Sequence, residues 1–124
     1  MRRIYLSFLI AAVLASFANA ASFIVSPDGS SEYPTIQDAI TAAAPGDSIL
    51  LEDGVFSGVG NYEISFQGKD LILCSISGNP EDCIIDILGE ANGVNEHGFF
   101  LNNRESLMSE IKDITIQGGD ADGG

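Results

Sequence analysis

PTIQDAITAAAPGDSILLEDGVF, residues 34–56, changes from a helical to a strand-like pattern across a Pro-Gly stop. Ile36, Ala39, Ile40 and Ala43 recur at the i, i+3, i+4, i+7 spacing of an amphipathic helix. Thr35 is the expected N-cap, its hydroxyl within reach of an orphan N–H of the first turn. Asp38 stands where a capping box carries Glu or Gln, and its charge suits the positive helix end. Pro45 cannot continue the helix, and Gly46 supplies the turn. From Ser48 the period changes. Ile49 and Leu51 share one face of a strand, and Leu50 makes the run apolar on both, as in parallel sheets covered on both sides. Asp53-Gly54 ends the run with a turn signal.

On the C-terminal side of this stretch, short strand-like runs follow one another with no second helical pattern. They are GVFSG (residues 54–58), YEISFQG (62–68), DLILCSI (70–76), CIIDILG (83–89), GFFLNN (98–103) and EIKDITIQGG (110–119). Taken in threes they make coils. Ile49 with Leu51 opens the first, Leu71 with Leu73 the second, and Ile114 with Ile116 the third. A three-faced coil needs about 20-odd residues. The second is therefore expected to carry loops, with SISGNPED and GEANGVNEHG as the insertions. Each strand would pair with its equivalent one coil away, stacking like residues into a continuous core. Ile84, Ile85 and Ile87 fit one face of a coil, and Phe99 and Leu101 another. Asn102 and Asn103 stand either at a coil corner or in a plain loop. An all-β sandwich explains the pattern less well, because SILL, LILC and CIIDIL do not alternate and a sandwich has no use for the entrance helix.

The ordered series FIVSPDGSSEYPTIQDAI (residues 23–40) and APGDSILLEDGVF (residues 44–56) resembles the N-terminal opening of right-handed parallel β-helix proteins. Pectate-lyase-like proteins and pectin methylesterases belong to that superfamily. There a strand, a glycine-containing turn and a helix of the form TIQ-A-AA cap the open end, and a P-G-D turn feeds the first coil. The resemblance implies an all-β fold: a right-handed parallel β-helix, or solenoid, with a short N-terminal capping α-helix and about two and a half coils. The expected organisation is a signal peptide at 1–20, a strand and capping helix at 21–47, and the first coils at 48–124.

Residues 1–20 have the form of a secretory signal peptide. Arg2 and Arg3 begin it, residues 4–14 are apolar, and Ala18-Asn19-Ala20 is a small-residue cleavage pattern. The apolar run is short for a membrane span, and nothing later approaches that length. The expected location is outside the cell or at its surface. Cleavage would leave 3 basic against 18 acidic residues, a net charge of −15. Such a surface repels nucleic acid and anionic lipid, and polyanionic sugars too unless calcium bridges the two.

Chemistry-bearing residues are few. Cys74 and Cys83 flank a turn signal, which would permit a disulfide in a secreted chain, but strand parity sends Cys74 outward and Cys83 inward. His97 is the single histidine and reads as a solvated loop residue; with no second histidine, a Cys/His zinc site is not expected. No G-x-S-x-G motif is present. In the resembling enzymes the acid/base aspartates, the calcium-binding acidic cluster and the catalytic Arg or Lys lie on later coils. No catalytic or cofactor-binding residue carries over. Arg104 and Lys112 are the basic residues near the third coil and read as surface groups. Asp120 and Asp122, in GGDADGG, are the candidate metal ligands, with calcium as the ion their oxygens suit; a flexible turn is the plainer reading.

The sequence closes in the turn after the first strand of an expected third coil, so a fragment or truncated reading frame is the expectation; the alternative is assembly with a partner that covers the open end, self-association through the uncapped last coil included. The expected function is the non-catalytic N-terminal part of a secreted polysaccharide-binding or polysaccharide-degrading β-helix protein, with a polysaccharide or cell-surface component as partner. The alternative is an adhesin-type surface scaffold similar to the passengers of polymorphic outer-membrane proteins, whose F-x-x-N motif is faintly echoed in residues 100–103.

Overall fold

The computed structural model describes residues 19–87, 97–101 and 108–118. The regular structure of the described residues is nearly all strand, in parallel sheets, with one short helix. Strand β1 (Ser22–Val25) is followed by helix α1 (Ile36–Ala42). The strands β2 (Ser48–Leu51), β3 (Gly54–Phe56) and β4 (Ile64–Ser65) come next. They are followed by β5 (Ile72–Ser75), β6 (Cys83–Asp86), β7 (Phe99–Phe100), β8 (Glu110–Lys112) and β9 (Thr115–Gln117).

Three sheets form, ordered β1-β2-β5-β8, β3-β6-β9 and β4-β7, and every pairing is parallel. The chain visits the sheets in the same order each time. The registers set like residues above one another. Phe23, Ile49, Leu73 and Ile111 form one inward column, and Phe56, Ile85 and Ile116 another. Ile64 opposes Phe99 in the third sheet. Ile49, Leu73, Phe56, Ile85, Ile64 and Phe66 have no exposed surface, and they lie in a single core cluster. Burying a side chain of this size stabilises by about 1.5–3 kcal/mol.

The helix closes one end of that core, as its apolar stripe requires: Ile36, Ala39 and Ile40 are fully buried. Thr35 is the N-cap, its Oγ1 accepting from the Asp38 N–H at 3.1 Å. The Asp38 carboxylate accepts from the Thr35 hydroxyl at 2.7 Å, so the two side chains lock the first turn together.

Three expectations about register need correction. Ile49 and Leu51 oppose Leu73 and Ser75, not Leu71 and Leu73. Leu71 is buried too, one residue ahead of β5, so alternation gave the correct face but a pairing two residues off. EIKDITIQ is two strands in two sheets. Asp113, at φ 58°, turns the chain between β8 and β9, so Ile111 extends the first sheet and Ile116 the second. Leu101 is 55% exposed and lies just past the end of β7, whereas Phe99 packs on the core, edge-on to Phe66 at 6.3 Å.

Candidate functional site

The outward residues of the first sheet carry the most distinctive surface. Register places Ile24, Leu50, Cys74 and Lys112 in one outward row, and Ser22, Ser48, Ile72 and Glu110 in the next. Ile24 is 49% exposed, and Leu50, Ile72 and Cys74 are half-buried. Two clefts border this sheet. One of about 440 Å³ is lined by Pro45, Gly46, Asp70, Ile72 and Met108, where β2, β5 and β8 begin. The other, about 360 Å³, runs beside β1 and is lined by Ser22, Phe23, Ile24, Ser31, Glu32 and Tyr33.

The turns that aim these strands are built from buried polar side chains. Asp47, in the P-G-D turn, takes the Ala21 N–H on Oδ1 and the Ala44 N–H on Oδ2, both at 2.8 Å. It thereby ties β1 to the turn feeding β2. Asn61 accepts the Ile36 N–H at 3.0 Å, satisfying an orphan donor at the helix start, and donates to the Ser57 carbonyl. Gln37 uses both ends of its amide on β4: Nε2 donates to the Ser65 carbonyl at 3.1 Å, and Oε1 accepts the Ser65 N–H at 2.9 Å. That side chain imitates a neighbouring strand and closes the free edge of the third sheet. Lys69 Nζ donates to the carbonyls of Ile40, Thr41 and Ala43 at 2.9, 3.1 and 2.7 Å, capping the helix C-terminus with charge. Sequence reasoning did not reach Asn61 or Lys69 at all. Gln37 and Asp47 lay inside the quoted motifs, but their side-chain partners are distant along the chain.

The corner between β5 and β6 holds a hydrogen-bonded chain. The Ser77 hydroxyl donates to Asp53 Oδ1 at 2.6 Å. The Ser75 hydroxyl oxygen lies 3.0 Å from that of Ser77 and accepts the Gly78 N–H. Ser75 also contacts Cys83, a buried free thiol. Burial pushes the Cys83 thiol up to about 11, and the Asp53 charge adds to the rise against the Ser75 hydrogen bond. Cys74 is free and half-buried, its thiol raised by burial, with nearby Lys112 opposing. The parity reading of the two cysteines therefore holds, and no disulfide joins them. Neither thiol has the lowered pKa of a nucleophile.

Lys112 lies 3.8 Å from Glu110 in a half-exposed ion pair. His97 is exposed, its ring edge-on to Phe100 at 5.3 Å, and its carbonyl takes the Glu63 N–H. Asp28 is held below the usual carboxylate range by the Ser30 hydroxyl and N–H. The candidate metal ligands Asp120 and Asp122, and also Arg104, Asn102, Asn103 and residues 1–18, lie outside the described residues. Among the described residues no three His, Cys, Asp or Glu side chains gather as a metal-binding group, and no helix is long and apolar enough to cross a membrane. The outer face of the first sheet presents Ile24, Leu50, Ile72 and Cys74, the Ser22 and Ser48 side chains, and the Glu110–Lys112 pair. No family model, curated protein or solved structure matches the chain.

Proposed function

We propose that the chain is a capped segment of a right-handed parallel β-helix, secreted or held at the cell surface, serving as the non-catalytic scaffold of a polysaccharide-directed protein. One observation carries the reading: three parallel sheets are visited in fixed order, with Ile49 over Leu73 and Phe56 over Ile85, beneath a helix that covers one end. Stacked layers of this kind give a long rigid face suited to an extended ligand. The buried hydroxyls, carboxylates and amides near the strands are engaged in turns and caps. They serve geometry rather than acid–base chemistry.

The adhesin-type scaffold is the second reading. The outward row Ile24, Leu50 and Cys74 favours it, because an apolar strip suits a protein neighbour better than a hydroxyl-rich sugar.

Electrophoresis of residues 21–124 through gels cast with neutral polysaccharide, and with pectate plus or minus calcium, tests the first reading. Retardation by at least one polymer, with no release of product, is expected. Mobility unchanged in all of them contradicts a polysaccharide-directed role, and turnover contradicts a non-catalytic one.

A further inference from the structure

The three sheets end differently on the helix side. The third ends at β4, whose outward-facing N–H and carbonyl at Ser65 are both taken by Gln37. The second ends at β3, which begins against Pro27: a Cβ on Gly54 would lie 2.6 Å from the proline ring. The first ends at β1, and among the described residues nothing similar closes it. The Ser48 N–H donates to the Ala21 carbonyl and the Glu52 N–H to the Val25 carbonyl. In a parallel ladder alternate residues face the partner. Phe23 therefore faces β2, while the N–H and carbonyl groups of Ser22 and Ile24 face away. Among the described residues no hydrogen bond reaches them.

Edge strands are ordinarily guarded by proline, lysine or a bulge. β1 reads SFIV and has none of these. The 360 Å³ groove runs along this unguarded edge, with Ser31, Glu32 and Tyr33 as its far wall. Phe23 meets Tyr33 edge-on at 5.4 Å, fixing that wall in place. Among the described residues that line the groove, the one charged side chain is the carboxylate of Glu32. Asp28 and Glu32 are exposed on the loop that follows β1.

We propose that the edge of β1 is a strand-addition site for an extended cationic polypeptide segment. The incoming backbone pairs with Ser22 and Ile24, and its basic side chains face Glu32 and Asp28. Backbone pairing supplies affinity that is tolerant of sequence, and charge selects the partner. A second copy of this chain is disfavoured at the same edge, because two such anionic ends would be brought together. This inference is independent of the polysaccharide reading, since it concerns an edge rather than an outer face.

The test uses the full chain and three blocked ten-residue peptides: alternating Lys and Thr, alternating Glu and Thr, and the Lys peptide N-methylated at every second residue. Fluorescence anisotropy should show saturable binding of the first alone, weakened by added salt. Amide resonances of Ser22 and Ile24 should shift and gain exchange protection on titration. Ile24→Pro removes one edge-facing N–H where proline is tolerated, and should weaken binding by at least about tenfold. Circular dichroism and the thermal midpoint report whether that variant is folded, and the N-methylated peptide gives the same answer without altering the protein. Equal binding of the Glu or the N-methylated peptide overturns the proposal, as does absence of binding. A dimer dissolved by Ile24→Pro, without peptide binding, assigns the edge to a second copy and overturns it as well.

Discussion

Phe56 and Ile116 occupy the same inward column, at opposite ends of the second sheet. Phe56 has no exposed surface; Ile116 is 45% exposed. Between them Ile85 is fully buried. The first sheet repeats the trend, from buried Ile49 and Leu73 to half-buried Ile111. An inward-facing apolar residue becomes core only when material covers it on both sides. At the helix end that cover is Ile36, Ala39 and Ile40, held down by Gln37, Asn61 and Lys69. Stability in a stacked structure is a sum over layers and their interfaces, so the two ends should respond unequally to equal insults.

The largest effect is expected at the cover itself. Ile40→Asp places an unpaired charge against the core and should cost about 3–5 kcal/mol or unfold the chain. A thermal midpoint equal to the parent's would mean that the helix does not seal the core. Next, Phe56→Ala should cost about 3–5 kcal/mol, whereas Ile116→Ala should cost under about 1 kcal/mol. Equal losses in urea titrations would erase the contrast between the two ends. Lys69→Met keeps the stem but removes the ammonium from three helix carbonyls; about 1.5–3 kcal/mol is expected, since hydrogen bonds to charged groups are the stronger ones. Lys69→Arg should recover part of it.

The smallest effect is one of pH. Burial raises the Cys83 thiol from its ordinary value of 9.0 to about 11. The folded state therefore disfavours the thiolate. The stabilisation this group contributes is complete below pH 9 and is lost as pH rises from about 9 to about 11. A Cys83→Ala chain should show a flatter stability profile across that window. In thiol labelling at pH 8, Cys74 should react first and Cys83 only as fast as the chain opens.

Much of this was legible in the sequence, for local reasons. The helix, its Thr35 cap, its Pro45-Gly46 stop and the inward parity of Ile49, Leu51, Leu73 and Ile85 follow from periodicity and turn chemistry. Register was not legible, because a period of two fixes the face of a strand but is blind to a slip of two residues, which is how Leu71 came to stand for Leu73. The break at Asp113 was hidden because a single left-handed aspartate interrupts two short β-like runs without a glycine or proline to mark it. The outer face and its clefts were least legible of all. They are assembled from β1, β2, β5 and β8, whose alignment exists only after the sheets have formed.

The parallel stacking of layers is tested most directly by nuclear Overhauser contacts in a methyl- and aromatic-labelled chain. Contacts from Ile49 to Leu73, from the Phe56 ring to Ile85 and from Ile85 to Ile116 are expected, following the observed registers. Close Hα–Hα contacts between β2 and β5, the mark of antiparallel pairing, or a contact set joining Ile49 to Ile114 in place of Leu73, would contradict it.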